Sequence, residues 1–389
     1  MGQGVRLYVG SQEGLSVWDG PDGRWQEVGR AFDGEVIDSI AAEKGHPERV
    51  LVGVTHDGLY RTEDAGKSWA KVLDGDIRSV TVDPTDDRVI YTGTEPVHLF
   101  RSEDSGRTWE ELASLQRLPE ETAQREGRGA APAAVNRDDW HKPDYVTPRQ
   151  EWSFPLPPHQ AHITNMFIQP LDPRVIYLCI EHGGVARSLD RGETWQDVSE
   201  GINYLDIHTI ASQPGRSDRY FVATARGFFA SDDPARGWTR AEQGCSRGYF
   251  HDFLFLEPRT GNGNPAMLVA TADGSPGFWG ATQSYAGKWD SSARGSRSAV
   301  FRSEDCAQSW QPVGAGRGLE EEMSAMVWSL CHHPTDPNGV FAGVGEVSRG
   351  HTLGQGGAGW VLVSRDRGDS WQPAISSLPA VRLVLACPR

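Results

Sequence analysis

Residues Arg101–Trp109 read RSEDSGRTW, and each position in that stretch has a physical job. Asp104 can accept hydrogen bonds from backbone amides a few residues on, closing a turn that no sheet ladder would satisfy. Gly106 supplies a residue free to take φ > 0 at the sharpest point. Trp109 opens the next strand and offers a large flat apolar face to a neighbouring sheet. The pattern recurs at Thr62–Trp69 (TEDAGKSW), Ser188–Trp195 (SLDRGETW), Ser231–Trp238 (SDDPARGW), Ser303–Trp310 (SEDCAQSW) and Ser364–Trp371 (SRDRGDSW). A degenerate copy is Trp18–Trp25 (WDGPDGRW).

Each copy sits inside the same larger unit. VIDSIAA (36–42), VLVGVT (50–55), LYRT (59–62) and WAKVL (69–73) read as four short strands, β-branched or aromatic and bounded by Gly, Asp and Pro. The second unit repeats this at 77–82, 89–93, 99–102 and 109–112, and a later one at 163–169, 175–180, 185–188 and 195–198. A four-stranded unit of about 40 residues is the mark of a propeller blade. Trp25, Trp69, Trp109, Trp195, Trp238, Trp310 and Trp371 then count seven blades. The first blade has three strands before its tryptophan is used up, and VRLVLA (381–386) at the other end has no partners of its own. That segment supplies the missing inner strand and removes an exposed edge. The expected fold is all-β, one seven-bladed propeller of four-stranded antiparallel blades in a single domain over 1–389.

These turns resemble the Asp-box, or BNR, repeat of sialidases, sortilin-like receptors and photosystem assembly propellers. The resemblance covers nearly the whole chain apart from three insertions, and it is a folding device before it is a functional one. Sialidases would imply an arginine triad, a tyrosine nucleophile with a glutamate helper and an aspartate acid. No FRIP-like segment stands at the start here and the blades number seven, so those roles are not carried over. Xyloglucanase-type glycosidases pair two such propellers around a cleft, and photosystem assembly factors bind a protein with one. The chain looks most like soluble bacterial glycosidase-like proteins of this class, through AHITNMFIQPLDP, IEHGG and DIHTIA.

The net charge of −15 argues against nucleic acid and anionic membrane as partners, since no basic stripe offsets it. Five cysteines, an odd number without a CxxC pair, read as reduced thiols. MGQGVRLYVG lacks the charged and apolar regions of a secretory signal, and no run of 18 apolar residues occurs, so a cytoplasmic protein is expected. No phosphate-binding GxxxxGK[ST] and no GxSxG elbow is present.

Three departures from the period carry the functional expectation. They are insertions at 113–158, 273–298 and 346–359, all of which a propeller would place on one face, with the aspartate turns on the other. Function belongs where loops are elaborated on a rigid scaffold. The charged run 119–129 reads as mobile. Trp140, Trp152, Trp279 and Trp289 are the candidate sugar- or substrate-stacking platforms, with Tyr249.

Aligning the inner strands by hydrophobic pattern gives one column of Asp38, Arg78, Thr164, His208, Asp252, Trp328 and Arg382. Buried charges are costly unless paired or used. Nearer the mouth come Glu35, Asp76, His162, Asp206 and Tyr249, with Glu95, Glu181, His182, Arg226, Asp273 and Glu346 in loops. His162, His182, His208 and His251 with Glu181 form a candidate set for a divalent metal such as Zn, Mn or Fe. His208, Asp252 and Asp206 are candidate acid–base groups, and Arg78, Arg226 and Arg382 could clamp a substrate carboxylate or phosphate. The favoured function is an enzyme with a capped polar pocket, performing metal-assisted hydrolysis or lyase chemistry on a small polar or anionic substrate. The alternatives are an Asp-box glycoside hydrolase acting on a glycan-like ligand and a non-catalytic protein-binding scaffold.

Overall fold

The computed structural model describes residues 4–20, 24–125, 152, 160–258, 263–276, 295–321, 323–346 and 357–389. They form seven four-stranded antiparallel sheets, a seven-bladed β-propeller. Blade one is led by Val381–Pro388, which pairs with Val5–Ser11 from Val5 opposite Pro388 to Ser11 opposite Val381, and continues through Gly14–Gly20 and Gln26–Ala31. The carboxy-terminal strand thus completes the first sheet, as the unpartnered VRLVLA segment predicts. The remaining blades are led by Ile37–Glu43, Ile77–Val82, His162–Ile168, Ile207–Ser212, Tyr249–Leu256 and Met326–His332.

Most second strands are rich in apolar residues because both faces are covered. Ile90–Thr94, Ile176–Glu181, Tyr220–Thr224, Ala266–Ala272 and Val340–Gly345 are buried along almost their whole length. Outer strands are short, down to the two residues Glu110–Glu111, Gln196–Asp197 and Thr239–Arg240, which limits the unpaired edge. Each repeat tryptophan lies one residue before its outer strand rather than opening it, and Trp195, Trp238, Trp310 and Trp371 are buried between blades.

Five of the turns share one hydrogen-bond pattern. The opening hydroxyl accepts the N–H four residues on: Gly66 to Thr62 (3.0 Å), and Gly106, Gly192, Ala307 and Gly368 to their serines (2.8 Å each). The aspartate accepts both the N–H and the hydroxyl of the residue before the tryptophan, as Asp104 does from Thr108 at 2.8 and 2.7 Å. Two successive residues take positive φ, for example Ser105 at 61° and Gly106 at 77°. The Ser231 copy departs: its hydroxyl donates to the Gly237 carbonyl at 2.6 Å.

The turns also join neighbouring blades. Arg101 donates to the Arg191 carbonyl (3.3 Å) and meets Glu193, while Arg302 donates to the Arg367 carbonyl (3.1 Å) and to Asp369 (2.7 Å). In both cases an arginine of one blade reaches the left-handed residue of the next blade's turn and the acid two positions on.

The chain packs as two compact units, one of Met1–Thr55, Arg61–Ala70 and Ala241–Arg389, the other of His56–Tyr60 and Lys71–Arg240. In the second unit, apolar clusters fill the seams between blades three and four and between blades four and five. In the first, clusters fill the seams between blades six and seven and between seven and one. The head of the first insertion is a 3-10 turn, Ala113–Arg117, and a helix, Leu118–Arg125, with Leu115 and Leu118 buried in the cluster of blades three and four. The expected mobile run therefore begins as helix, with Glu120 and Glu121 in its favourable first turn. The middle of each of the three insertions, apart from Trp152, lies outside the described residues. All five cysteines are free thiols. No helix among the described residues is long and apolar enough to cross a membrane.

Candidate active site

Every leading strand slips its register by one residue near its start, leaving one residue bulged out of the ladder. The bulged residues are Arg382, Asp38, Arg78, Thr164, His208, His251 and Trp328. A bulge re-aims its side chain, so a repeated bulge presents a repeated set of side chains beside the sheet. This set is the aligned polar column with one correction. In blade six His251, not Asp252, takes the bulge. Asp252 turns the other way and accepts the N–H groups of Phe253 and of Leu330 in blade seven, both at 2.8 Å. A slip of one residue exchanges the two faces of a strand, and hydrophobic pattern alone did not reveal it.

In the first unit the bulged residues hold one another. His251 Nδ1 meets the Trp328 carbonyl at 2.8 Å and its ring meets the indole edge-on at 5.0 Å. Arg382 lies 5.6 Å from the Trp328 ring and its Nε is 3.0 Å from Asp38 Oδ1. Tyr249, a candidate platform, is buried and stacks on His251 at 6.1 Å.

In the second unit the bulged Arg78 and His208, with residues flanking the bulges, form a line in which acids alternate with basic or imidazole side chains. His56 and Arg78 both pair with Asp76, at 2.6 and 3.2 Å, and Arg78 also meets Glu95. His162 Nδ1 lies 3.5 Å from Glu95 and 3.0 Å from the Gln160 carbonyl, and its Nε2 is 3.0 Å from Glu181. His182 Nε2 is 3.9 Å from Asp206 Oδ2, and His208 Nε2 is 3.1 Å from Asp206 Oδ1. These side chains come from the start of leading strands (His162, His208) and the residue just before one (Asp206), and from the end of a second strand (Glu181) or the turn after it (His56, Glu95, His182). Both places lie at the same end of a blade.

Burial and charge set the protonation states. Burial works against the His162 imidazolium, but Glu181 outweighs it and the histidine is raised above its ordinary value. Its two ring nitrogens face two acceptors, an arrangement that asks both to carry hydrogen. His182 is lowered by burial, with Asp206 and Glu181 opposing, so it stays neutral. Burial would raise Glu181 and Asp206, yet His162 and His208 respectively hold them below the usual carboxylate values. Asp206 also pushes Glu181 upward, the cost of two anions side by side.

Glu181, His182 and Asp206 bring one ligand atom each to within 4.8 Å of one another. Two carboxylate oxygens and a neutral imidazole suit a hard or borderline divalent ion, and three protein ligands leave positions open. Glu181 and His182 belong to the expected metal set. Asp206, expected as an acid–base group, joins them, while His162 and His208 flank as partners of the two carboxylates. His251 belongs to the other unit.

Two residues escaped the sequence reading. His56 stands at φ 59° in the turn THDG and His182 at φ 56° in EHGG, so aligning the turns after the second strands would have paired them. Tyr204 is buried against His182, edge-on at 5.5 Å, and carries the Arg226 guanidinium 3.9 Å above its ring. Trp152 is half-buried against the cluster of blades three and four, and a Cβ on Gly183 would come 2.9 Å from its Cδ1. Trp140, Trp279 and Trp289 lie outside the described residues.

No protein-family model matches the sequence, and no curated protein matches it. Among solved structures, the chain is similar to the GH74 xyloglucanase of Xanthomonas campestris, with a TM-score of 0.59 at 16% identity, over 97% of this chain and 53% of that one. It is similar to an ancestral GH74 enzyme, with a TM-score of 0.53 at 13% identity, over 98% of this chain and 40% of that one. It is also similar to the WD40 β-propeller domain of Doa1, with a TM-score of 0.51 at 10% identity, over 87% and 85%. The chain spans about half the length of the two GH74 enzymes or less. At such identities the likeness is one of fold.

Proposed function

We propose that this chain is a metal-assisted hydrolase or lyase acting on a small polar substrate, with a divalent ion held by Glu181, His182 and Asp206. The observation that carries this reading is the convergence of Glu181, His182 and Asp206, one ligand atom each within 4.8 Å of one another, with His182 and Asp206 buried and Glu181 half-buried. Two carboxylates side by side repel each other even with a histidine partner each, and an ion between them offsets that repulsion. When bound, a Zn, Mn or Fe ion supplies Lewis acidity and a more acidic water.

The chain's own residues do the rest. His162, held between the Gln160 carbonyl and Glu181, fixes the orientation of Glu181. Asp206 holds Nε2 of His208 at 3.1 Å, which orients the imidazole as a candidate acid–base group beside the centre. Arg78, clasped by Asp76 and Glu95, braces the Glu95 side of His162. The test is calorimetric titration of Zn²⁺, Mn²⁺ and Fe²⁺ into the wild type and His182→Asn. Binding of one ion by the wild type, weakened at least tenfold in the variant, supports the reading. Equal behaviour of the two proteins, or no binding, overturns it.

One observation favours a second reading. Retaining glycosidases set their two carboxyl groups about 5–5.5 Å apart. Glu181 and Asp206 have oxygens within 4.8 Å, and the GH74 xyloglucanase shares the fold. Hydrolysis of aryl glycosides by chelator-treated protein, abolished in Asp206→Asn, would select it.

A further inference from the structure

We propose that Tyr204 is a positioning residue of the metal centre, its ring fixing the imidazole of His182 in the direction that the ion requires. The proposal rests on the metal reading above and deepens it. Glu181 and His182 come from blade four, whereas Asp206 comes from the segment that enters blade five. A centre divided between two blades needs something to hold its halves in register. Tyr204, Leu205 and Asp206 do so at three successive residues.

Tyr204 supplies the side-chain contact. It is buried, and its ring meets the ring of His182 at 5.5 Å with the planes at 77°. The Arg226 guanidinium lies 3.9 Å over the tyrosine ring, so the tyrosine is itself held. Leu205 supplies the backbone contact, its carbonyl accepting the N–H of Gly183 at 3.1 Å and that of Gly184 at 3.2 Å. Asp206 supplies the carboxylate. Its own carbonyl accepts the Ala225 N–H at 3.0 Å, which ties the three residues to the turn that carries Arg226.

The turn they grip has little room to shift. A Cβ on Gly183 would come 2.3 Å from Ile180 Cγ2, and one on Gly184 would come 2.3 Å from Ser199 Oγ. Ser199 Oγ also accepts the Val185 N–H at 2.9 Å, which fixes the chain just beyond the turn. With the backbone of His182 held in this way, the freedom left to the imidazole is rotation about its side-chain bonds. The Tyr204 ring restricts that rotation. A ligand locked by its supporting residues binds an ion better than one that must first be ordered.

The test titrates Co²⁺, followed by its visible absorption, into wild type, Tyr204→Leu, Tyr204→Phe and Gly192→Ala. Thermal midpoints check folding, and Tyr204→Met, which fills more of the volume, replaces Tyr204→Leu if that variant does not fold. Tyr204→Phe keeps the ring. Gly192→Ala strains the turn at the other end of blade four and controls for lost stability alone. The proposal expects Tyr204→Leu to bind Co²⁺ about 10–100-fold more weakly, with an altered absorption spectrum. It expects Tyr204→Phe and Gly192→Ala to stay close to wild type in both. It is overturned if Tyr204→Leu keeps the wild type's affinity or spectrum, or if Tyr204→Phe or Gly192→Ala loses as much as Tyr204→Leu. A wild type that takes up no Co²⁺ sinks the metal reading instead. The ring signal of His182 in metal-free protein, read by NMR and assigned from His182→Asn, then decides the tyrosine's role. A signal broadened or doubled in Tyr204→Leu and single in Tyr204→Phe supports it, and any other pattern overturns it.

Discussion

His182 holds a left-handed backbone at φ 56°, a conformation uncommon for residues other than Gly and in which Asn, Asp and His are the most frequent exceptions. The turn aims the imidazole towards Asp206, 3.9 Å away. His182→Asn keeps a residue that tolerates the turn and removes the imidazole. The expected outcome is a thermal midpoint within a few degrees of wild type together with loss of metal binding. Gly192 makes the complementary case for structure. Its φ of 94° lies beyond the left-handed well, and a Cβ would come 2.6 Å from Leu112 Cδ1. Gly192→Ala should therefore destabilise by about 1–3 kcal/mol in chemical denaturation. Ala307 stands in the equivalent turn at φ 65°, inside the well, which is why that copy accepts a methyl group. Residue identities announced the glycine turns directly. They announced the site only in part, because Tyr204 looks like any core tyrosine until His182 and Arg226 are seen to meet it.

The aspartate turn is the element most exposed to pH. Asp64 is held at about 2 by the hydroxyl and N–H of Ser68, and Asp104 at about 2 by the N–H and hydroxyl of Thr108. Both folded values lie below the ordinary 3.8, so the stabilisation is complete above that pH and is lost as pH falls towards 2. Tryptophan fluorescence at fixed denaturant should show stability constant near pH 5 and falling between about pH 4 and 2. Asp104→Asn should flatten part of that fall. The arginine link between blades is tested in the same way. Arg302 reaches the Arg367 carbonyl and Asp369 in blade seven, and Arg302→Met should cost about 1.5–3 kcal/mol, the range for hydrogen bonds to a charged group. The strands were legible because each is short, apolar and bounded by turn residues: Ile77–Val82 and Leu99–Ser102 fall where expected. The bulge in every leading strand was not legible. It leaves no composition signal, and in blade six both His251 and Asp252 are polar, so only the ladder itself says which is re-aimed.

For the whole molecule, closure of blade one by Val381–Pro388 is the feature the sequence foretold from a strand without partners. Deleting 380–389 would expose Val5–Ser11 as an open edge and uncover the apolar seam of blades seven and one. That variant should aggregate or unfold at temperatures the full chain tolerates, read by light scattering on heating. Fold and function separate at this scale. The same architecture serves a xyloglucanase and a WD40 domain, so the ring of blades says where chemistry can sit and not which chemistry it is. The chemistry proposed for this chain lies on the line from Asp76 to His208, in which two anions, Glu181 and Asp206, flank a neutral histidine. The most direct measurement is the metal content of the purified, desalted protein by elemental mass spectrometry, for wild type and His182→Asn side by side. The account predicts close to one divalent transition-metal ion per wild-type chain and little in the variant. Wild-type protein that stays metal-free after expression and purification with Zn, Mn and Fe supplied would contradict it.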